Sequence, residues 1–309
     1  MGKHTKGDVS TQRALATYTA TAQRAASEVI GAYSTSFFAA TGLLGRRSRR
    51  HIRNIYALVR VADEMVDGAA SGAGISAADQ LRALDQFETA SLTALRTGFS
   101  SDLVIHAFAH TARWAGITAD LVTPFFASMR ADLLRDDVAD EAGKVYDSQA
   151  HAKYVYGSAE VVGLMCLRVF LGGVQLPKAQ QERAEYGARQ LGAAFQNINF
   201  LRDIGDDTRR LGRHYLGFGA GLSAAQKDAW VALAREQLAA GFAAIELLPA
   251  DARRAVRAAH NLFAELLARI DAADCATLLR RRMRVPNMVK IRIVADAMFA
   301  GRSNGRQPA

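Results

Sequence analysis

From Thr11 to about residue 300 the chain repeats its apolar residues every three or four positions and almost nowhere every second one. A half-buried strand needs alternation, because its side chains point to opposite faces with a period of two. Hairpin signals are nearly absent: Asp67-Gly68 leads into more turn residues, not a second strand. Alanine is abundant and there are only five prolines, so long helices run uninterrupted. The expectation is an all-α protein. Helices are expected over 11–32, 35–45, 47–67, 76–96, 101–115, 119–135, 149–173, 177–209, 224–247, 250–271 and 274–300. Breaks are expected near Gly157 and Pro286, a flexible loop over 68–74 and an irregular stretch over 136–148.

No Gly/Ser/Pro linker divides these helices, and no fixed-period repeat is visible. Residues 11–300 therefore read as one helical bundle around a central apolar cavity, with disordered tails over 1–10 and 301–309. The chain has 309 residues, 50% of them hydrophobic, enough for a large core. Cys166 and Cys275 stand apart and form no metal-type pair or disulfide framework, which points to the cytoplasm. Residues 1–10 lack an apolar signal core, and no uninterrupted apolar run reaches the roughly 18 residues of a membrane span. The net charge of +9 suits an anionic membrane face, a phosphorylated substrate or nucleic acid. The sequence sets no oligomeric state.

Two acidic rows carry the chemistry. In the helix over 177–209, Gln196, Asn199, Asp203 and Asp207 are spaced by three, four and four and share one face. In the helix over 47–67, Tyr56, Arg60, Asp63 and Asp67 repeat the pattern. Either row alone is readable as a solvated helix end, the second-half acids pairing with Arg202, Arg209 and Arg210. Two rows on separate helices, facing each other across a cavity, would place four carboxylates and Asn199 together. Such a set suits hard divalent cations, Mg²⁺ first and Mn²⁺ next, which take oxygen ligands together with water and substrate phosphate. A Walker-type glycine-rich loop is absent, which argues against a P-loop ATPase. Arg60, Arg202, the run Arg46, Arg47, Arg49, Arg50 and Arg53, and the group Arg209, Arg210 and Arg213 lie near the rows as candidate phosphate ligands.

The block Tyr33-Ser34-Thr35-Ser36-Phe37, followed by Tyr56-Ala57-x-x-Arg60-x-x-Asp63-Glu64-x-x-Asp67, resembles the first half of the squalene/phytoene synthases. Gln196-x-x-Asn199-x-Leu201-Arg202-Asp203-Ile204-Gly205-Asp206-Asp207 and Gly212-Arg213-His214-Tyr215-Leu216 resemble their second half, in the form of the bacterial phytoene synthases. Tyr156 to Met165 resembles their central helix. The resemblance implies an isoprenoid synthase fold and head-to-head (1'-1) condensation of two prenyl diphosphates with Mg²⁺. On that reading Asp63, Asp67, Asn199, Asp203 and Asp207 hold the metals. Ser34, Ser36, Arg60, Gln196, Arg213 and Tyr215 contact or surround substrate diphosphate. Phe37, Tyr56 and Tyr156 line the reaction centre.

The implied reaction is phytoene synthesis from geranylgeranyl diphosphate, an early step of carotenoid formation, with no NADPH and no nucleic-acid partner. Peripheral contact with the cytoplasmic membrane face is also expected. Dehydrosqualene or squalene formation from farnesyl diphosphate is the near alternative. A non-catalytic basic helical protein is the distant one. Departures from the family pattern are Glu160 within the central helix and Phe263 where a tyrosine is expected. One arginine of the cluster Arg280, Arg281, Arg282 and Arg284 is expected to bind phosphate.

Overall fold

A buried polar network fixes how the first acidic helix is turned. In this computed structural model, which describes residues 6–136, 148–210 and 222–299, helix α1 (Lys6–Tyr33) leads through α2 (Thr35–Gly42) to α3 (Arg46–Val66). There follow α4 (Ala69–Gly72), α5 (Ala77–Thr97), α6 (Leu103–Ala115), α7 (Ala119–Asp136) and α8 (Ser148–Val155). Within α3, His51 shares a 2.9 Å hydrogen bond with Thr111 of α6, and the Asn54 amide donates to Thr111 Oγ1 and to the Ala107 carbonyl. These groups are fully buried, so their bonds replace those lost to water and lock the rotation of α3 about its axis. Small residues bring α1 close to the same pair, with Ala22 and Ala26 against Ala57 and Ala107.

One helical π-turn (Tyr156–Glu160) joins α8 to α9 (Val161–Leu171). Then come the 33-residue α10 (Lys178–Arg210), α11 (Ala224–Ala244), a 3₁₀ turn (Ile245–Leu247), α12 (Ala250–Ala272), α13 (Cys275–Arg280) and α14 (Asn287–Phe299). There is no strand among the described residues. One core packs α3, α5, α6, α7 and α9 around Phe108, Phe125 and Phe126; a second packs α10, α11 and α12 around Ile198, Leu201 and Ile270. Glycines at three crossings allow backbone approach. A Cβ at Gly163 would run into the Ala188 carbonyl, at Gly192 into the Ala159 carbonyl, and at Gly205 into the Leu279 carbonyl. The second acidic helix is thereby pressed against both the central helix and α13.

Several expectations are corrected. Helix α1 begins at Lys6, so residues 6–10 extend it rather than form a tail; continuing an established helix costs little per residue. Residues 1–5 and 300–309 lie outside the described residues, as does most of 136–148. Residues 68–74 hold the short α4. The expected break at Gly157 is a π-turn in a continuous helix, with Ser128 donating to the Tyr154 carbonyl. The break at Pro286 holds: 281–286 separates α13 from α14. The stretch Gln149–Leu171 is long and apolar enough for a membrane span, yet it packs between α3, α7 and α10 as a core helix.

Candidate active site

A cavity of about 710 Å³ lies among α2, α3, α7, the π-turn, α9, α10, α11 and α12. Its walls change character along both acidic helices. Toward their N-terminal parts, Ile52, Ile55 and Val59 of α3 and Ala184, Gly187, Ala188 and Leu191 of α10 line it. Toward their C-terminal ends, Tyr56, Arg60, Asp63, Glu64 and Asp67 line it from α3, and Gln196, Asn199, Arg202 and Asp203 from α10. The described members of the two rows read from spacing thus meet across one cavity. The cause is geometric: each row shares a helix face, and the buried network on α3 and the close glycine crossings of α10 turn both faces inward.

Asp67 is the C-cap residue of α3, its N–H donating to the Asp63 carbonyl. Burial pushes the Asp63 carboxyl up to about 7; Arg60 acts against this, while Asp67, Asp132 and Glu64 add like-charge repulsion. The residue keeps partial exposure only because it faces the cavity. Arg60 pairs with Glu64, and its guanidinium lies 4.3 Å over the Tyr33 ring. Glu64 also accepts from the Ala69 N–H, tying down the turn beyond Asp67. Burial raises the Tyr56 hydroxyl above its ordinary range, opposed by Arg60 and by a hydrogen bond with Ser34. Ser34 caps α2 by accepting from the Phe37 N–H, and it lines the cavity with Phe37.

On α10, Arg202 forms two bonds to Asp203, Nε to Oδ1 at 2.9 Å and Nη2 to Oδ2 at 2.5 Å. Arg282 reaches the same carboxylate, Nε to Oδ1 at 2.7 Å, and lines the cavity. The phosphate-binding candidate among the C-terminal arginines is therefore Arg282. Three buried polar atoms of the lining residues have no hydrogen-bond partner: Arg60 Nε, Asn199 Oδ1 and Ser158 Oγ. An orphaned amide oxygen beside carboxylates is what a hard cation would complete, and the donors here are all oxygen. Among the described residues no three acids, histidines or cysteines form a ready metal cluster. Mg²⁺ normally takes only one or two carboxylates and fills the rest with water and phosphate, so the donor set fits it.

Some expected residues are elsewhere. Tyr156 does not line the cavity; its ring lies under Arg189, 5.4 Å from the guanidinium carbon. Tyr154 lines it instead, since residues two apart on a helix point about 200° apart. Three of the five upstream arginines are used structurally: Arg49 donates to the Gly42 and Leu44 carbonyls, Arg47 to the Phe170 carbonyl, and Arg53 to Ser27. The side chains of Ser36 and Asp207, and all of Arg213 and Tyr215, lie outside the described residues. Glu160 faces Arg189 at 2.6 Å. Phe263 stacks on Phe195 with ring centres 3.8 Å apart, an apolar contact where a hydroxyl was expected.

Asp132 belongs to neither row. It is 3% exposed, lines the cavity from α7, and accepts a 2.8 Å hydrogen bond from the Tyr154 hydroxyl. Its one signal in the sequence is an acid on the apolar stripe Val122, Phe125, Met129, where a charge has no reason to sit without a partner.

The sequence pattern of squalene/phytoene synthases matches residues 30–217. The chain belongs to the squalene/phytoene synthase family. Among curated relatives in this family, a chloroplastic phytoene synthase 3 of Zea mays is 31% identical over 287 residues, 87% of this chain and 64% of its own. A 4,4'-diapophytoene synthase of Staphylococcus haemolyticus is 30% identical over 192 residues, 61% of this chain and 59% of its own. The chain thus spans less than two thirds of the length of these curated relatives. A solved dehydrosqualene synthase in complex with a ligand superposes with a TM-score of 0.65 over 92% of this chain and 98% of its own, at 21% identity. That likeness establishes the fold: a single-domain, all-α isoprenoid synthase bundle with a central apolar cavity.

Proposed function

We propose that this chain is a Mg²⁺-dependent prenyltransferase that joins two geranylgeranyl diphosphates head to head to phytoene, releasing two diphosphates, in carotenoid biosynthesis. The observation that carries the reading is the pair of acidic rows meeting at one end of a cavity whose remaining walls are apolar. Asp63, Asp67, Asn199, Asp203 and Asp207 would hold Mg²⁺. The ions, when bound, neutralise diphosphate and make it a better leaving group.

The chain's own groups do the rest. Arg60 and Arg282 offer guanidinium donors to phosphate oxygens, Arg60 with an Nε that has no other partner. Diphosphate would compete with Asp203 for Arg282. Ionisation of one substrate leaves an allylic cation; the double bond of the second attacks it and forms a cyclopropyl diphosphate. Loss of the second diphosphate, rearrangement and loss of a proton complete the product. The Phe37 and Tyr56 rings, with centres 6.2 Å apart, present π faces to such cations. The apolar walls exclude the water that would quench them.

A second reading is dehydrosqualene formation from farnesyl diphosphate, favoured by the diapophytoene synthase among the relatives. One experiment separates the two: purified protein with Mg²⁺ and either prenyl diphosphate, with and without NADPH, then identification of the hydrocarbon. Phytoene from the C20 substrate, independent of NADPH, is expected. No diphosphate release from any C15 or C20 substrate would refute both.

A further inference from the structure

The chain that runs from Arg282 out of the cavity carries an unusual surface. Residues 280–292 contain six basic residues (Arg280, Arg281, Arg282, Arg284, Lys290 and Arg292) and no acid. Among the described residues, Arg281, Arg284, Lys290 and Arg292 make no ion pair, whereas Arg47, Arg130, Arg189, Arg235 and Arg257 on other helices each pair with an acid. Set among them are Met288, 76% exposed, and Ile291, 62% exposed. They lie three positions apart on α14, hence on one face, and Arg292 is one position on. Helix α14 packs against α12 and α2, and α2 adds the exposed Phe38.

Solvated basic faces normally pair with acids or stand among other polar residues. Here unpaired cations flank large aliphatic side chains pointing into solvent. That combination has a specific physical use. Cations are drawn to an anionic surface, and exposed aliphatics gain only if they leave water on arrival. Nucleic acid would satisfy the charge but offers no apolar phase for Met288 and Ile291.

We propose that the segment 281–292 is a docking surface for an anionic lipid bilayer, with Met288 and Ile291 entering the headgroup region and Arg281, Arg284, Lys290 and Arg292 pairing with lipid phosphates and carboxylates. Because Arg282 lines the cavity, docking here sets the polar end of the cavity beside the bilayer surface. The proposal stands apart from the reading of the reaction, since its test measures lipid binding alone.

The full chain is co-sedimented with phosphatidylcholine vesicles with and without phosphatidylserine, at low and physiological salt. Binding is expected to the phosphatidylserine vesicles and to weaken with salt. Met288→Ser with Ile291→Ser should weaken it by about tenfold or more. Lys290→Gln and Arg292→Gln should each weaken it about fivefold. Leu15→Ser, an exposed position on α1, should bind as the parent does. Far-ultraviolet circular dichroism checks that each variant is folded; all substituted positions are at the surface or half-buried. Equal binding to neutral vesicles, or a Met288/Ile291 variant that binds like the parent, would overturn the proposal. So would single-stranded DNA binding at physiological salt without vesicle binding.

Discussion

Replacing Asp63 with Asn should make the metal-free protein more stable at pH 8 while removing its turnover. The carboxyl ordinarily titrates near 3.8 but is pushed up to about 7 in the folded chain by burial, with Asp67, Asp132 and Glu64 adding repulsion against the help of Arg60. Below pH 4 both states are protonated and the group contributes nothing. As pH rises from 4 toward 7, the unfolded chain releases the proton and the folded chain holds it. Folding therefore loses stability through that window, and the full penalty persists above pH 7. A shift of this size corresponds to about 4 kcal/mol at most, and water in the cavity screens it to on the order of 2 kcal/mol. For a domain of this length that is a rise of about 4 °C in Tm. The assay is thermal or urea unfolding of parent and Asp63→Asn at pH 4, 6 and 8 without divalent cations. The gap should open as pH rises, and added Mg²⁺ should narrow it by stabilising the parent alone. A variant no more stable than the parent at pH 8, or a gap independent of pH, would refute the electrostatic account of the site.

Other outcomes are expected from the same geometry. Asp132→Ala removes the hydrogen bond that the buried Tyr154 hydroxyl donates to this carboxylate, so urea unfolding should show a loss of about 1–3 kcal/mol; an unchanged midpoint would mean that the bond does not matter. Gly163→Ala drives a methyl into the Ala188 carbonyl and should cost about 1–3 kcal/mol by separating α9 from α10, read in the same assay. Arg282→Gln should raise KM for the prenyl diphosphate while leaving the fold intact, whereas Asp203→Ala should abolish diphosphate release altogether. Cys166 is held in apolar surroundings that push its thiol up to about 12. Native protein at pH 8 should therefore resist iodoacetamide at Cys166, as mass spectrometry of peptides will report.

The helical class and the two acidic rows are legible in the sequence because both depend on local spacing. A period near 3.6 identifies a helix, and residues three or four apart share its face wherever the helix is later placed. Glycines 163, 192 and 205 leave no such trace; their role appears only when a neighbouring backbone arrives. The π-turn at Tyr156–Glu160 reads as a break in the sequence, since one extra residue in a turn rotates the face of the next helical segment without changing composition.

What the tertiary structure alone decided is which charges and rings reach the cavity. Five arginines upstream of the first row look equally able to bind phosphate, yet Arg47 and Arg49 are spent on backbone carbonyls and Arg53 on Ser27. Among four C-terminal arginines only Arg282 lines the cavity. Tyr154 reaches it where Tyr156 does not, and Asp132 joins from a third helix. Spacing along one helix determines which side chains travel together. The direction in which they face, and the partners that await them, are set by the packing of helices distant in sequence.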